Sequence, residues 1–315
     1  MKTGFTNWHA VECDAFGRLS GLTARSGPAA GAAARRILVP VDGSAAALGA
    51  LHVALRMADG PADVEVHLLN AQIVLGAGER DDTLLRQGLA DTWAARAALD
   101  EAGLPYLLRL VAANPAEAIL AHAREHAAAE IVMGADGAGS VACALLGSVA
   151  MDVLAKAGVP VTLAKSGCRA GEFPAEWVDW LIACDGSAAS LRALRYALAQ
   201  FAGRPRAPRL HLLNVRPPAG PLPATPDVAT MAAEREQAAV DCREALDALA
   251  AAGVGYDFHV AFGDPVAKIL EVAEDVGCGH LVMGTRGLGW LGGLLLGSIS
   301  GGVLRRSPLP VTLIR

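Results

Sequence analysis

Aromatic side chains are scarce, at 4% of the 315 residues, so a buried core has to be built from Ala, Val, Leu and Ile. Basic charge is not in excess either. The 27 Lys and Arg stand against 32 Asp and Glu, a formal net charge of −5. Nucleic-acid binding as the main activity is therefore not expected, because it needs a basic face. No uninterrupted apolar run reaches the length of a membrane span, so no membrane association is expected. The six cysteines (Cys13, Cys143, Cys168, Cys184, Cys242 and Cys278) contain no C-x-x-C pair. The first 34 residues lack the continuous apolar stretch of a secretory signal. Reduced thiols in a cytoplasmic protein are the expectation. There is no G-x4-G-K-[ST], hence no P-loop. Gly287, Gly289 and Gly292 spell G-x-G-x-x-G, but they follow the fourth strand of a unit rather than the first, so a dinucleotide fingerprint is discounted. No nucleophile–base pair stands out.

What is present is a repeat. The length suggests about two domains, and hydrophobic residues, at 53%, are ample for two cores. Arg36 to Val41 reads as a buried parallel strand. Asp42-Gly43-Ser44 follows as a turn and helix cap, then a helix over 45–58. A second strand is expected at 64–71, a helix at 84–101 and a third strand at 106–111. Asn114-Pro115-Ala116-Glu117 opens the next helix with a cap, a first-turn proline and a carboxylate. A fourth strand at 130–133, a helix at 148–157 and a fifth strand at 159–164 close the unit.

The pattern then restarts. Asp185 answers Asp42 at an offset of 143, Leu212-Leu213-Asn214 answers Leu68-Leu69-Asn70 at 144, and Asp264-Pro265 answers Asn114-Pro115 at 150. The drift places the extra residues between the second and third strands of the second unit. The expected organisation is a flexible N-terminal extension over 1–34, a domain over 35–165, a linker over 166–176 and a second domain over 177–315. Alternating strands and helices imply an α/β fold, two tandem doubly wound parallel sheets of five strands each.

The densest signal lies in Leu281 to Ser300. Gly284, Gly287, Gly297 and Ser298 spell G-x2-G-x9-G-S, and Gly134, Gly137, Gly147 and Ser148 repeat the spacing. A strand ending in glycine and leading to a helix start lets backbone N–H groups face an anion. Purely structural turns are the competing reading. Ligands of such sheets bind outside the carboxyl ends of strands where the winding reverses. If strands one and four are neighbours, the aspartates and the glycine loops line one crevice. Asp42 and Asp185 are equally compatible with helix capping alone.

The combination of Val41-Asp42-Gly43-Ser44 and Cys184-Asp185-Gly186-Ser187 with both glycine loops resembles the tandem, two-domain members of the universal stress protein family. Val159-Pro160-Val161 and Leu309-Pro310-Val311 before the last strands fit as well. The resemblance implies a Rossmann-like fold and an adenine nucleotide in each crevice. ATP is the first choice, with AMP or ADP as related ligands and Mg accompanying the phosphates. By position it implies Ala183, Asp185, Val215, Met283, Gly284, Arg286, Gly287, Gly297 and Ser298 as the second-half site. In the first half the counterparts are Pro40, Asp42, Ala71, Gly134, Gly137, Gly147 and Ser148. It also implies a non-enzymatic stress sensor or regulator. Slow hydrolysis or autophosphorylation is left open. The closing strands are expected to pair at the edge between domains, so that one chain imitates a dimer and two chains can associate further. A partner-binding stress protein with vestigial sites is the alternative.

The halves differ where phosphate is expected: Arg286 has Asp136 as its counterpart. The second half is therefore expected to be the better site, although Ala183 replaces Pro40. Arg286 as a solvated loop charge is the bland reading, and for Cys184 the reading is a small buried strand residue. His122, Glu125 and His126 match H-x-x-E-H, a zinc peptidase pattern. No third ligand is evident in the sequence, and the repeat equivalents are Val272 and Val276, so zinc catalysis is set aside.

Overall fold

The computed structural model describes residues 10–28, 30–31, 34–58, 63–73, 80–136, 146–165, 179–202, 209–216, 228–285 and 297–315. The chain divides into two compact units, Met1–Ala170 and Gly171–Arg315.

In the first unit the elements are β1 (Ala10–Cys13), β2 (Leu19–Ser26), β3 (Arg35–Pro40), α1 (Ala45–Ala58), β4 (Val64–Gln72), α2 (Arg80–Asp91), α3 (Trp93–Glu101), β5 (Tyr106–Ala112), α4 (Pro115–Glu125), β6 (Glu130–Gly134), α5 (Ser148–Lys156) and β7 (Val161–Ala164). Its strands run in the order β1-β2-β5-β4-β3-β6-β7. The second unit contains β8 (Trp180–Ala183), α6 (Ala188–Phe201), β9 (Leu210–Arg216), α7 (Val228–Asp241), α8 (Arg243–Ala252), β10 (Tyr256–Phe262), α9 (Pro265–Asp275), β11 (His280–Gly284), α10 (Ser298–Arg306) and β12 (Val311–Ile314). Its order is β12-β11-β8-β9-β10. Both units are therefore doubly wound α/β sheets. The strand with the aspartate turn, β3 or β8, lies between β4 and β6 or between β9 and β11, all in parallel register. That is where the winding reverses.

Burial follows from the sequence pattern. Ile37, Leu38 and Val39 of β3 are all 0% exposed, as a strand covered on both faces requires. Helix α1 buries mostly small residues, among them Ala46, Ala47, Gly49, Ala50 and Ala54, which lets it lie close to the sheet. The helix starts obey local chemistry. The Asn114 side chain accepts from Glu117 N at 3.2 Å, and Asp264 accepts from Ala267 N at 2.8 Å. Each is followed by proline at the first helical position, where the missing N–H costs nothing.

The structure departs from expectation in two places. The single helix expected over 84–101 is two segments meeting at Thr92, whose hydroxyl donates to Gly88 O at 2.7 Å. Such a bond competes with the helical ladder and bends it. The larger departure lies in the stretch expected to be a flexible extension. There, β1 and β2 form an antiparallel hairpin, and β2 pairs antiparallel with β5 over Gly21 to Ser26. Its turn is made by Asp14, whose Oδ1 accepts from Phe16 N and Arg18 N, and by Gly17 at φ 75°. Leu22 and Ala24 reach the core. That stretch holds no long apolar run, but an antiparallel strand with one solvated face needs only an apolar residue at every second position.

Candidate functional site

At the reversal point of each sheet there is a cavity. The first, about 410 Å³, is lined by Pro40 at the end of β3, Asp42 and Ser44 after it, Leu69 and Ala71 of β4, Pro115 and Ile119 of α4, and the β6–α5 connection. The second, about 330 Å³, repeats this with Ala183, Asp185, Ser187, Leu213, Val215, Pro265, Ile269 and the β11–α10 connection. Strand alternation explains the walls: Leu69 and Ala71, or Leu213 and Val215, point to one face of their strand.

The rim is held by a side-chain clasp present in both units. Asn70 Nδ2 donates to Val41 O at 2.8 Å, and Asn214 Nδ2 donates to Cys184 O at 2.8 Å. Each amide ties the second strand to the residue just before the aspartate. Asp42 Oδ1 accepts from Ser44 N, and Asp185 Oδ1 from Ser187 N, both at 3.0 Å. Ser44 and Ser187 in turn accept from Ala47 N and Ser190 N, capping the helices that follow. Opposite this turn, α5 and α10 begin at Gly147 and Gly297 with no side-chain cap bond. Gly147, Ser148, Val149 and Ala150 line the first cavity, and Gly297, Ser298, Ile299 and Ser300 the second. First-turn N–H groups without a side-chain acceptor, at the positive end of a helix, suit an anion.

Within 33–165 and again within 180–315 the chain matches the model of the universal stress protein family. The chain belongs to the universal stress protein family. A universal stress protein in the QAH/OAS sulfhydrylase 3′ region of Thermus aquaticus is 34% identical over 136 residues, which are 43% of this chain and 96% of that protein. The crystal structure of a universal stress protein from Archaeoglobus fulgidus DSM 4304 has a TM-score of 0.66 at 24% identity. It covers 89% of this chain and 96% of its own, a likeness of fold.

In these two universal stress domains the cavities gather most residues expected from sequence. Pro40, Asp42, Ala71, Gly134, Gly147 and Ser148 line the first. Ala183, Asp185, Val215, Met283, Gly284, Gly297 and Ser298 line the second. Gly137, Arg286 and Gly287 lie outside the described residues. The glycines divide in purpose. A Cβ on Gly284 would meet Ala189 Cβ at 2.7 Å and its carbonyl carbon at 2.8 Å, and one on Gly134 would meet Ala46 at 3.0 Å. These two glycines let the ends of β6 and β11 abut the starts of α1 and α6, a packing role.

Sequence reasoning missed the residues of the facing helix, Pro115 with Ile119 and Pro265 with Ile269. They were legible in the repeat, since both pairs are identical at an offset of 150. Cys184 is 3% exposed and lines the second cavity, with Sγ 3.6 Å from Ser190 Oγ. The H-x-x-E-H match gains a third imidazole that the sequence did not reveal. His67 of β4 sits with His122 and His126, their ligand atoms within 4.8 Å of one another, while Glu125 is exposed.

Proposed function

We propose that this universal stress protein binds an adenine nucleotide, ATP or the related ADP or AMP, and acts in the cytoplasm as a stress-response sensor or regulator. The observation that carries the reading is the meeting, in one cavity, of an aspartate turn and a helix start without a side-chain cap, between apolar walls. Leu213, Val215 and Ile269 offer a surface for a base, and the α10 N-terminus offers N–H groups for phosphate. Among the described lining residues the ionisable side chains are Asp42 and Asp136 in the first cavity and Asp185 and Cys184 in the second. Neither set supplies a base beside a nucleophile, which favours binding over turnover. Slow hydrolysis remains compatible with it.

The second domain is the better site in this reading. Its loop carries Arg286, whereas Asp136 lines the first cavity with Oδ1 buried and without a hydrogen-bond partner among the described residues. A carboxylate a few ångströms from a phosphate costs about 1 kcal/mol or more at intermediate dielectric unless Mg intervenes. Two family domains in one chain fit an intrachain pseudo-dimer, and a homodimer of chains belongs to the same proposal. Calorimetric titration of ATP tests the asymmetry. Arg286→Ala is expected to weaken the tighter site about tenfold, the loss of one charge-assisted contact, and Asp136→Ala to leave it unchanged. Weakening of that site only by Asp136→Ala would reverse the assignment. For the first domain a partner-binding role with a vestigial site is the second reading, favoured by the same cavity-lining carboxylate.

A further inference from the structure

The residues left unused by the nucleotide reading include three histidines on one side of the first unit. His67 stands on β4, on the face that carries Leu69 and Ala71 toward the cavity. His122 and His126 follow Ile119 along α4 at helical spacing, one turn apart. Helix α4 therefore meets the cavity at its start, through Pro115 and Ile119, and the histidines at its end. His67 Nδ1 and His122 Nε2 are 2.9 Å apart. The His126 ring centroid lies 4.1 Å from that of His122 and 5.2 Å from that of His67.

The geometry points to a binding site for a divalent transition metal, with zinc as the reference ion, held by His67 Nδ1, His122 Nε2 and a ring nitrogen of His126. Bonds of about 2.0–2.1 Å to a tetrahedral zinc place ligand nitrogens about 3.3 Å apart. The separations here, 2.9 Å at the close pair and all within 4.8 Å, bracket that value. The surroundings have the form such a site requires. His67 Nε2 faces Glu65 Oε2 at 3.1 Å. A carboxylate only accepts, so Nε2 bears the proton and Nδ1 presents its lone pair toward His122. This is the carboxylate–histidine arrangement that orients metal ligands.

Three arginines (Arg25, Arg36, Arg109) face the cluster, but Glu65 takes the first two and Glu12 takes Arg109, with Glu125 adjacent to His126. Charge is balanced rather than strongly negative. That disfavours Ca²⁺ or Mg²⁺ and suits an ion bound through imidazole nitrogen. Half-buried His126 opens the site to solvent. Three protein ligands leave a fourth position vacant for water or an incoming group.

The second unit keeps the strand histidine, His211, but has Val272 and Val276 on its helix. The ligating groups near His211 are Asp257 and His259 of β10, and Asp257 is already paired with Arg209 at 3.2 Å. One site per chain is therefore expected.

The test is titration of the full-length protein with Zn²⁺ against a competing chelator, and with Co²⁺ followed by its visible d–d bands. The expected result is one tight zinc per chain and a tetrahedral cobalt spectrum. His122→Val, which installs the residue of the second unit, should abolish both. His126→Gln, at a half-buried helix end where folding is safe, should weaken zinc at least 100-fold, given that loss of mere supporting partners costs 10–100-fold. His259→Gln should change nothing. A wild-type chain that takes no zinc, or zinc that survives both His122→Val and His126→Gln, overturns the assignment.

Discussion

The two units have the same winding and each holds one such cavity, yet they differ in how the far edge of the sheet is finished. In the first unit β2 covers β5, and Tyr106, Leu107, Leu108 and Leu110 are buried. In the second unit β10 ends the sheet, and all seven of its residues are only half-buried. The chemistry beneath the edge follows this difference. Position 65 of the first unit is a glutamate, 2% exposed, held by Arg25 from the hairpin and by Arg36. Its repeat equivalent is Arg209, in an exposed pair with Asp257. Covering an edge thus permits a buried charge network, and with it the histidines beside Glu65. An open edge keeps such charges in water.

Removing the hairpin's charge should break the comparison most forcefully. Arg25→Ala leaves Glu65 buried with Arg36 at 3.6 Å as its charge partner and His67 Nε2 at 3.1 Å, and a loss of about 3 kcal/mol or more from the first unit is expected. The matching change in the second unit, Arg209→Ala, removes an exposed pair and should cost under about 1 kcal/mol. Urea unfolding followed by unit-resolved hydrogen exchange would show this. Equal costs in the two units would mean that covering the edge does not govern the energetics.

Next in size is the strand-end glycine. Gly284→Ala forces a Cβ to 2.7–2.8 Å from Ala189, Gly134→Ala only to 3.0 Å from Ala46. Overpacking of this kind costs about 1–3 kcal/mol, so Gly284→Ala should sit near the top of that range and Gly134→Ala near the bottom. Thermal unfolding of the two variants compares them directly, and the opposite ranking would show that α6 yields more readily than α1.

The smallest effect concerns pH. Burial, with Asp100 nearby, pushes the Tyr106 phenol from 10.0 up to about 12. The folded chain therefore keeps the phenol neutral where the unfolded chain ionises. Its contribution is intact below pH 10 and is lost as pH rises toward 12. Tyr106→Phe should flatten that alkaline loss by about 1 kcal/mol near pH 11. Tyr256, its counterpart on the open edge, is the control. A flattening of equal size from Tyr256→Phe would remove the distinction.

Much of this was legible in the residues, for identifiable reasons. Strands β3, β6 and β11 are short runs with an uninterrupted apolar centre (Ile37 to Val39, Ile131 to Met133, Leu281 to Met283) ended by glycine or by an Asp-Gly turn, and those signals are local. The cavity residues were found because the repeat set Asp42 beside Asp185 and Gly147 beside Gly297. The hairpin was not found, because a strand such as Leu19–Ser26 alternates weakly and carries Gly and Ser. The histidine cluster was not found because His67 and His122 are far apart in the chain. Only the packing of α4 on β4 unites them.

The asparagine clasp has a further consequence. By tying Asn70 to Val41 O and Asn214 to Cys184 O, folding itself immobilises the aspartate turn on the neighbouring strand. A ligand entering either cavity meets a wall already in its final conformation and need not supply the entropy of assembling it. Preorganisation of that kind raises affinity without adding a contact.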